Sequence, residues 1–182
     1  MKKAIIIVVI LGMFGWAIYD FVIKSDDSEV TEQEEDENDD VKVGLEKGNR
    51  APDFELSTLE GDDIKLSDYR GERVMLNFWA SWCGPCRSEM PDMQKLHENE
   101  DITILAVNLS DTESSEKNVP KFVEDLGLTF TIPLDEESKV AGLYQIQPVP
   151  TSYMIDSDGI VQNKALGALN YDQMLQQFEQ MD

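Results

Sequence analysis

The fold that this sequence predicts is an α/β domain with a mixed central β-sheet flanked by helices. Three observations predict it. Apolar runs of strand length alternate with helical stretches from Val74 onward. The last two runs, Ser152–Asp156 and Ile160–Ala165, are joined through Asp158-Gly159, a tight-turn dipeptide that makes them a hairpin. A Cys-x-x-Cys pair, Cys83 and Cys86, stands where the first buried run hands over to a helix.

The elements follow in order. Ala51–Leu56 and Ile64–Leu66 read as short extended pieces around a turn at Glu60-Gly61-Asp62-Asp63. Val74–Ala80 is apolar almost throughout, as a strand buried on both faces should be, and Ile102–Leu109 is a second run of that kind. A helix is expected over Cys83–Asn99 and another over Lys117–Leu126. A short strand is expected at Phe130–Leu134, a helix at Ser138–Tyr144 and a last helix at Tyr171–Met181. No internal repeat is present.

The first 24 residues are of another kind. Lys2 and Lys3 precede an almost wholly apolar stretch, Ala4–Ile23, of 20 residues. As a helix it would be about 30 Å long, enough to span a bilayer. Asp20 falls near its outer end, where a charge costs little, and Trp16 and Tyr19 suit the interfacial aromatic belt. No small-residue cleavage site follows, and no cysteine follows for lipid attachment, so residues 1–24 are expected to be an uncleaved signal anchor. Lysines before the span and acid after it place the N-terminus in the cytoplasm and the remainder on the extracytoplasmic side. Residues 25–43 are rich in Asp and Glu, carry no aromatic residue and cannot bury a core; a disordered tether is expected there. The globular domain is expected over 44–182.

Net charge is -22, from 37 Asp and Glu against 15 Lys and Arg. That excess disfavours nucleic acid and anionic head groups as partners, since both need cationic surfaces. A monomer is expected.

The chemistry lies in Trp82-Cys83-Gly84-Pro85-Cys86. At a helix N-terminus the backbone N–H groups lack intrahelical partners and the dipole favours an anion, so a thiolate is stabilised. Cys83, at or before the first helical residue, is the expected attacking thiol, and Cys86, one turn inward, the resolving thiol. Gly84 allows close approach of another backbone, and Pro85 occupies an early helical position where its missing N–H costs nothing. A Cys-x-x-Cys pair is also half of a zinc site. Zinc takes four ligands, however, and the one histidine, His97, lies in a polar stretch. A purely structural disulfide is disfavoured because so short a loop gives little entropic stabilisation. No metal is expected, and no cofactor beyond the cysteine pair itself.

Phe78-Trp79-Ala80-Ser81-Trp82-Cys83-Gly84-Pro85-Cys86 resembles the active-site segment of the thioredoxin superfamily. Pro91 matches that family's helix-kinking proline, and Val149-Pro150-Thr151 resembles its cis-proline loop, whose backbone pairs with an incoming substrate strand. Arg50-Ala51-Pro52-Asp53-Phe54, Ile64–Gly71 and Glu89 resemble the membrane-anchored TlpA/ResA-like thiol–disulfide oxidoreductases, and Ser110–Leu134 fits that branch's helix–strand insertion. Asn77 stands where thioredoxin has a buried aspartate. The Gly84-Pro85 dipeptide is that of thioredoxin, where ResA carries Glu-Pro.

The resemblance implies a thioredoxin-like fold with an N-terminal extension. It implies a disulfide reductase for exported proteins such as apocytochrome c, acting in cytochrome c maturation. A membrane thiol carrier of the CcdA/DsbD type would recharge it. Trp82, Gly84, Pro85, Val149, Pro150 and Thr151 would meet the substrate. Glu89 would tune the cysteine pair and assist proton transfer. Trp79 is expected to pack, Trp82 to shield the disulfide, Met90 and Met93 to fill core, and His97 to lie on a helix surface. The rival enzyme is a peroxiredoxin-type peroxidase, which shares the fold and the Ala-Pro-Asp-Phe opening. That chemistry uses a threonine shortly before a lone peroxidatic cysteine, and here Ala80 and Trp82 surround the site. A different client of the cell envelope, or a tethered chaperone module with an incidental dithiol, are the other readings.

Overall fold

The computed structural model describes residues 41–181. The anchor expected over 1–24 lies outside the described residues, as does the tether as far as residue 40. Among the described residues no helix is long and apolar enough to cross a membrane. The folded part starts earlier than residue 44. The Arg50 N–H donates to the Lys42 carbonyl at 2.9 Å, and Val43 forms a bridge with Arg50. Backbone pairing, which composition does not reveal, recruits these residues.

Among the described residues six strands and four α-helices follow in chain order: β1 (Glu55–Ser57), β2 (Asp63–Lys65), β3 (Val74–Trp79), α1 (Gly84–Asn99), β4 (Thr103–Asn108), α2 (Asn118–Leu126), α3 (Lys139–Leu143), β5 (Thr151–Ile155), β6 (Val161–Leu166) and α4 (Tyr171–Glu179). The main sheet runs β4-β3-β5-β6, with β4 parallel to β3 and the other pairs antiparallel. β1 and β2 form a separate hairpin. The mixed sheet is the thioredoxin-like arrangement.

All six residues of β3 are buried because the strand is covered on both faces. Met75 and Trp79 point into one layer, with Met90, Met93 and Leu96 of α1, Phe122 of α2, and Met174 and Phe178 of α4. Val74, Leu76 and Phe78 point into the other, with Val140 and Ala141 of α3, Tyr144, Tyr153 and the opening residues Ala51 and Phe54. In that second layer the Tyr144 hydroxyl donates to the Pro52 carbonyl at 2.5 Å, and the Tyr153 hydroxyl donates to the Tyr144 carbonyl at 2.9 Å. Burial pushes the Tyr144 phenol well above its ordinary range.

The hairpin expected around Asp158-Gly159 forms. Asp156 Oδ1 accepts the Asp158 and Ile160 N–H groups, and Gly159 takes φ +78°, a left-handed value suited to glycine. α3 is shorter than the stretch expected over Ser138–Tyr144. Ser138 sits at φ +52°, and its side chain does not cap. The buried Asp135 accepts the Ala141 N–H at 2.7 Å instead.

The strand expected at Phe130–Leu134 is a correction: only isolated bridges form there, Thr131 and Leu134 with β4 and Pro133 with Thr58. Pro133 is the reason. In a parallel ladder residue 133 would give its N–H to the Ala106 carbonyl, and proline has none. The Trp79 indole N–H donates to that carbonyl instead, at 3.0 Å. The segment still carries hydrogen bonds on both sides. Ala106 and Asn108 donate to Thr131 and Pro133, Leu59 donates to Ile132, and Leu134 donates to Ser57. It thereby stitches the β1–β2 hairpin to the edge of the main sheet.

Tyr144→Phe should leave the buried Pro52 carbonyl without its donor. The expected loss is about 1–3 kcal/mol of stability, read as a lower urea midpoint at unchanged slope.

Candidate active site

The sheet delivers three pieces to one place: the C-terminal end of β3, the N-terminus of α1 and the start of β5. α1 begins after Cys83, which is its N-cap residue. Cys83 Sγ accepts the Cys86 N–H at 3.1 Å, as a capping oxygen would. Cys83 and Cys86 are joined as a disulfide, with Cα atoms 5.3 Å apart. Cys83 is 5% exposed and Cys86 fully buried, so a partner reaches the pair through Cys83. Gly84 and Pro85 are exposed, and open space surrounds the position where a Gly84 Cβ would stand. Pro91 lies inside α1, where it offers no N–H to the Arg87 carbonyl one turn back.

The Val149–Pro150 bond is cis. The Val149 carbonyl oxygen is 3.6 Å from Cys83 Sγ, which puts this backbone directly against the disulfide. Thr151, the first residue of β5, donates its hydroxyl to the Pro148 carbonyl at 2.8 Å, and the Gly167 N–H donates to the Pro150 carbonyl at 2.8 Å. These bonds hold the loop from both sides. Trp79 is buried and stacks tilted on Phe122 with centroids 4.6 Å apart. Trp82 is 59% exposed, and its indole N–H is tied to Thr112 Oγ1 at 3.1 Å. Met90 and Met93 are fully buried in the core. His97 is half-buried, edge-on to Phe130, and far along α1 from the cysteines.

Glu89 lies one turn beyond Cys86 and is buried, 1% exposed. Its Oε1 accepts the Leu169 N–H at 2.9 Å, and its Oε2 accepts the Asn77 side-chain amide at 3.3 Å. The same amide donates to Ser152 Oγ at 2.9 Å, whereas Asn77 Oδ1 is buried with no hydrogen-bond partner among the described residues. Burial pushes the Glu89 carboxyl up to about 7. The negative charge of Asp92 adds to this, and the Leu169 and Asn77 hydrogen bonds oppose it. Protonated Glu89 carries an O–H donor of the kind that Asn77 Oδ1 lacks. A carboxyl that gains and loses its proton near neutrality, on the helix that carries both sulfurs, is equipped to exchange protons during thiol chemistry.

Residues to which the sequence assigns no site role also converge here. Glu113 accepts from the Ser81 N–H at 2.7 Å, from the Ser81 hydroxyl, and from the Asn108 amide at 3.1 Å. Ser152 and Leu169 complete the surroundings of Glu89. Asn108, buried at the end of an apolar run, was the one local signal of this polar network.

The model of the AhpC/TSA family matches residues 47–164. The chain belongs to that family. Within it the chain is similar to the thioredoxin-like protein YneN of Bacillus subtilis, at 35% identity over 177 residues, 96% of this chain and 94% of that protein. It is 41% identical over 141 residues to the thiol-disulfide oxidoreductase ResA of Geobacillus thermodenitrificans, covering 76% of this chain and 79% of that one. The crystal structure of StoA from Bacillus subtilis superposes with a TM-score of 0.62 at 29% identity, over 70% of this chain and 96% of that one. This AhpC/TSA-family member is a thiol–disulfide oxidoreductase of the ResA/StoA type, with Cys83 and Cys86 at disulfide distance.

Glu89 of this oxidoreductase also links stability to pH. Its folded value of about 7 lies above the ordinary 4.5, so the folded state holds the proton more tightly than the unfolded chain. The contribution is complete below about pH 4.5, is lost as pH rises towards 7, and stays absent above. Urea unfolding from pH 4.5 to 8 should show wild type losing about 3 kcal/mol relative to Glu89→Gln across that window. Parallel curves for the two proteins would show that Glu89 does not titrate as stated.

Proposed function

We propose that this oxidoreductase works outside the cytoplasmic membrane, held there by residues 1–24, and reduces disulfides in exported proteins, apocytochrome c among them. The observation that carries the reductase reading is the Cys83–Cys86 pair at a helix N-terminus against the cis Val149–Pro150 backbone. The apolar Ala4–Ile23 stretch behind Lys2 and Lys3 supports the location. The ResA-like character of the chain supports the client. The Gly84-Pro85 dipeptide supports the reducing direction, because thioredoxin, which shares it, has a potential of about -270 mV.

In the reaction the Cys83 thiolate attacks one sulfur of the client disulfide. A Cys83–client mixed disulfide forms, and the other client sulfur leaves as thiolate. Cys86, deprotonated with Glu89 accepting its proton, attacks Cys83 Sγ and releases the second client thiol. Two electrons pass to the client, and the protein is left with the Cys83–Cys86 bond seen in this structure. Gly84 and the Val149 backbone leave room for an extended client segment beside Cys83, and Thr151 holds that backbone in place. A CcdA/DsbD-type carrier in the membrane returns two electrons to complete the cycle.

Cys86→Ser should stall the reaction at the mixed disulfide on Cys83, and mass spectrometry of the adduct identifies the client. Deletion of the gene should lower holocytochrome c. Normal cytochrome levels with a different trapped protein would reassign the client and keep the reductase. Peroxide consumption faster than insulin reduction would replace the reductase reading with the peroxidase one.

A further inference from the structure

We propose that the turn after β4, Ser110–Glu113, is a two-point clamp on the residues just ahead of Cys83. In this clamp Thr112 and Glu113 are positioning residues that present the Trp82 indole to the protein client. The inference rests on the oxidoreductase reading above.

Two consecutive residues hold two consecutive residues. Glu113 takes the N–H and the hydroxyl of Ser81, and Thr112 Oγ1 takes the Trp82 indole N–H. The clamp is itself anchored. The Thr112 hydroxyl donates to the Leu109 carbonyl at 2.7 Å, which leaves its oxygen lone pairs for the indole. Asn108, fully buried at the end of β4, donates to Glu113 and accepts the Ser110 hydroxyl at 3.0 Å, so it braces both ends of the turn.

The exposure of Trp82 gives this clamp a purpose beyond folding. The residue stays 59% exposed although the only hydrogen-bonding group of its side chain is already engaged, so apolar ring surface is what that side chain offers to a partner. A ring of that kind suits aromatic and aliphatic side chains of an unfolded segment. Its neighbour in the chain is Cys83, and the Val149 carbonyl stands 3.6 Å from that sulfur. Holding the indole before the client arrives lowers the ordering cost of binding. A small disulfide, which reaches Cys83 without needing Trp82, gains nothing from the clamp.

The test uses the full chain and compares insulin with hydroxyethyl disulfide as substrates. Thr112→Val and Glu113→Ala break one point each, Thr112→Ser keeps the hydroxyl, and Glu113→Gln keeps one acceptor oxygen for the Ser81 N–H and gives an amide N–H that Ser81 Oγ can accept. In Thr112→Val the Leu109 carbonyl keeps the backbone N–H of residue 112 at 3.0 Å, so the turn retains a bond. KM for insulin should rise about fivefold in Thr112→Val, the factor expected for one lost hydrogen bond, and at least as much in Glu113→Ala, which loses the three bonds that Glu113 accepts, with kcat unchanged. The rate with hydroxyethyl disulfide should stay at the wild-type value, and the Ser and Gln variants should restore KM. Fluorine NMR of fluorotryptophan-labelled protein, with the signal assigned by Trp82→Phe, should show a narrower, more solvent-like Trp82 resonance in Thr112→Val. Unchanged insulin KM in both disrupting variants, or equal losses with both substrates, overturns the clamp. A wild-type protein inactive on both disulfides overturns the oxidoreductase reading instead, and the Trp82 resonance then decides the clamp by itself.

Discussion

The hydrogen bond from the Cys86 N–H to Cys83 Sγ is the contact on which the site depends. Helix N-termini are ordinarily capped by an oxygen of Ser, Thr, Asp or Asn. Here a sulfur takes that place, so the more exposed sulfur of the pair is also the group that caps the helix. The free N–H groups and the positive end of the dipole act on the same atom that must carry negative charge during exchange. Gly84 and Pro85 keep that end open: one adds no side chain, and the other needs no hydrogen-bond partner there.

One helical turn along α1 from Cys86 the protein buries the first member of a polar trio. Glu89, Asn77 and Ser152 are all buried, and each comes from a different element: α1, β3 and β5. Burying a carboxyl among apolar residues disfavours its charge, and the Leu169 N–H and the Asn77 amide offset only part of that cost. The result is a group that holds its proton until near neutrality. An isosteric apolar core would pack more simply; this one keeps a carboxyl buried on the helix that starts at Cys83.

The insertion between β4 and β5 is joined to the site at its start and to β4 at its end. After β4, the Ser110–Glu113 turn bonds to Ser81 and Trp82. Before α3, the 131–134 segment lies along β4, and its proline leaves a carbonyl that the Trp79 indole satisfies. Trp82 is therefore tied to the insertion itself, and Trp79 to the β4 carbonyl that the insertion's proline leaves open. Trp79 packs as the last residue of the buried β3, while Trp82, past the strand, stays at the surface, a difference that two tryptophans three positions apart do not announce.

Much of the molecule was legible in local chain chemistry. Apolar runs marked β3, β4 and β5, because strands covered on both faces need continuous burial. Asp158-Gly159 marked the β5–β6 turn, because its glycine adopts a left-handed conformation. Cys83-Gly84-Pro85-Cys86 marked a helix start that bears sulfur. Phe130–Leu134 reads as a strand but forms only isolated bridges, because the missing N–H of Pro133 interrupts a ladder whose partners lie elsewhere in the chain. Which partners meet was the decision of the tertiary structure alone. Leu169 reaches Glu89 across 80 positions, and Glu113 reaches Ser81 across 32. The reason is physical: periodicity and backbone propensity act over a few residues, whereas hydrogen bonds between buried polar groups depend on strand order and layer packing. The sequence by itself determined what the reactive group is, and the packed fold decided what surrounds it.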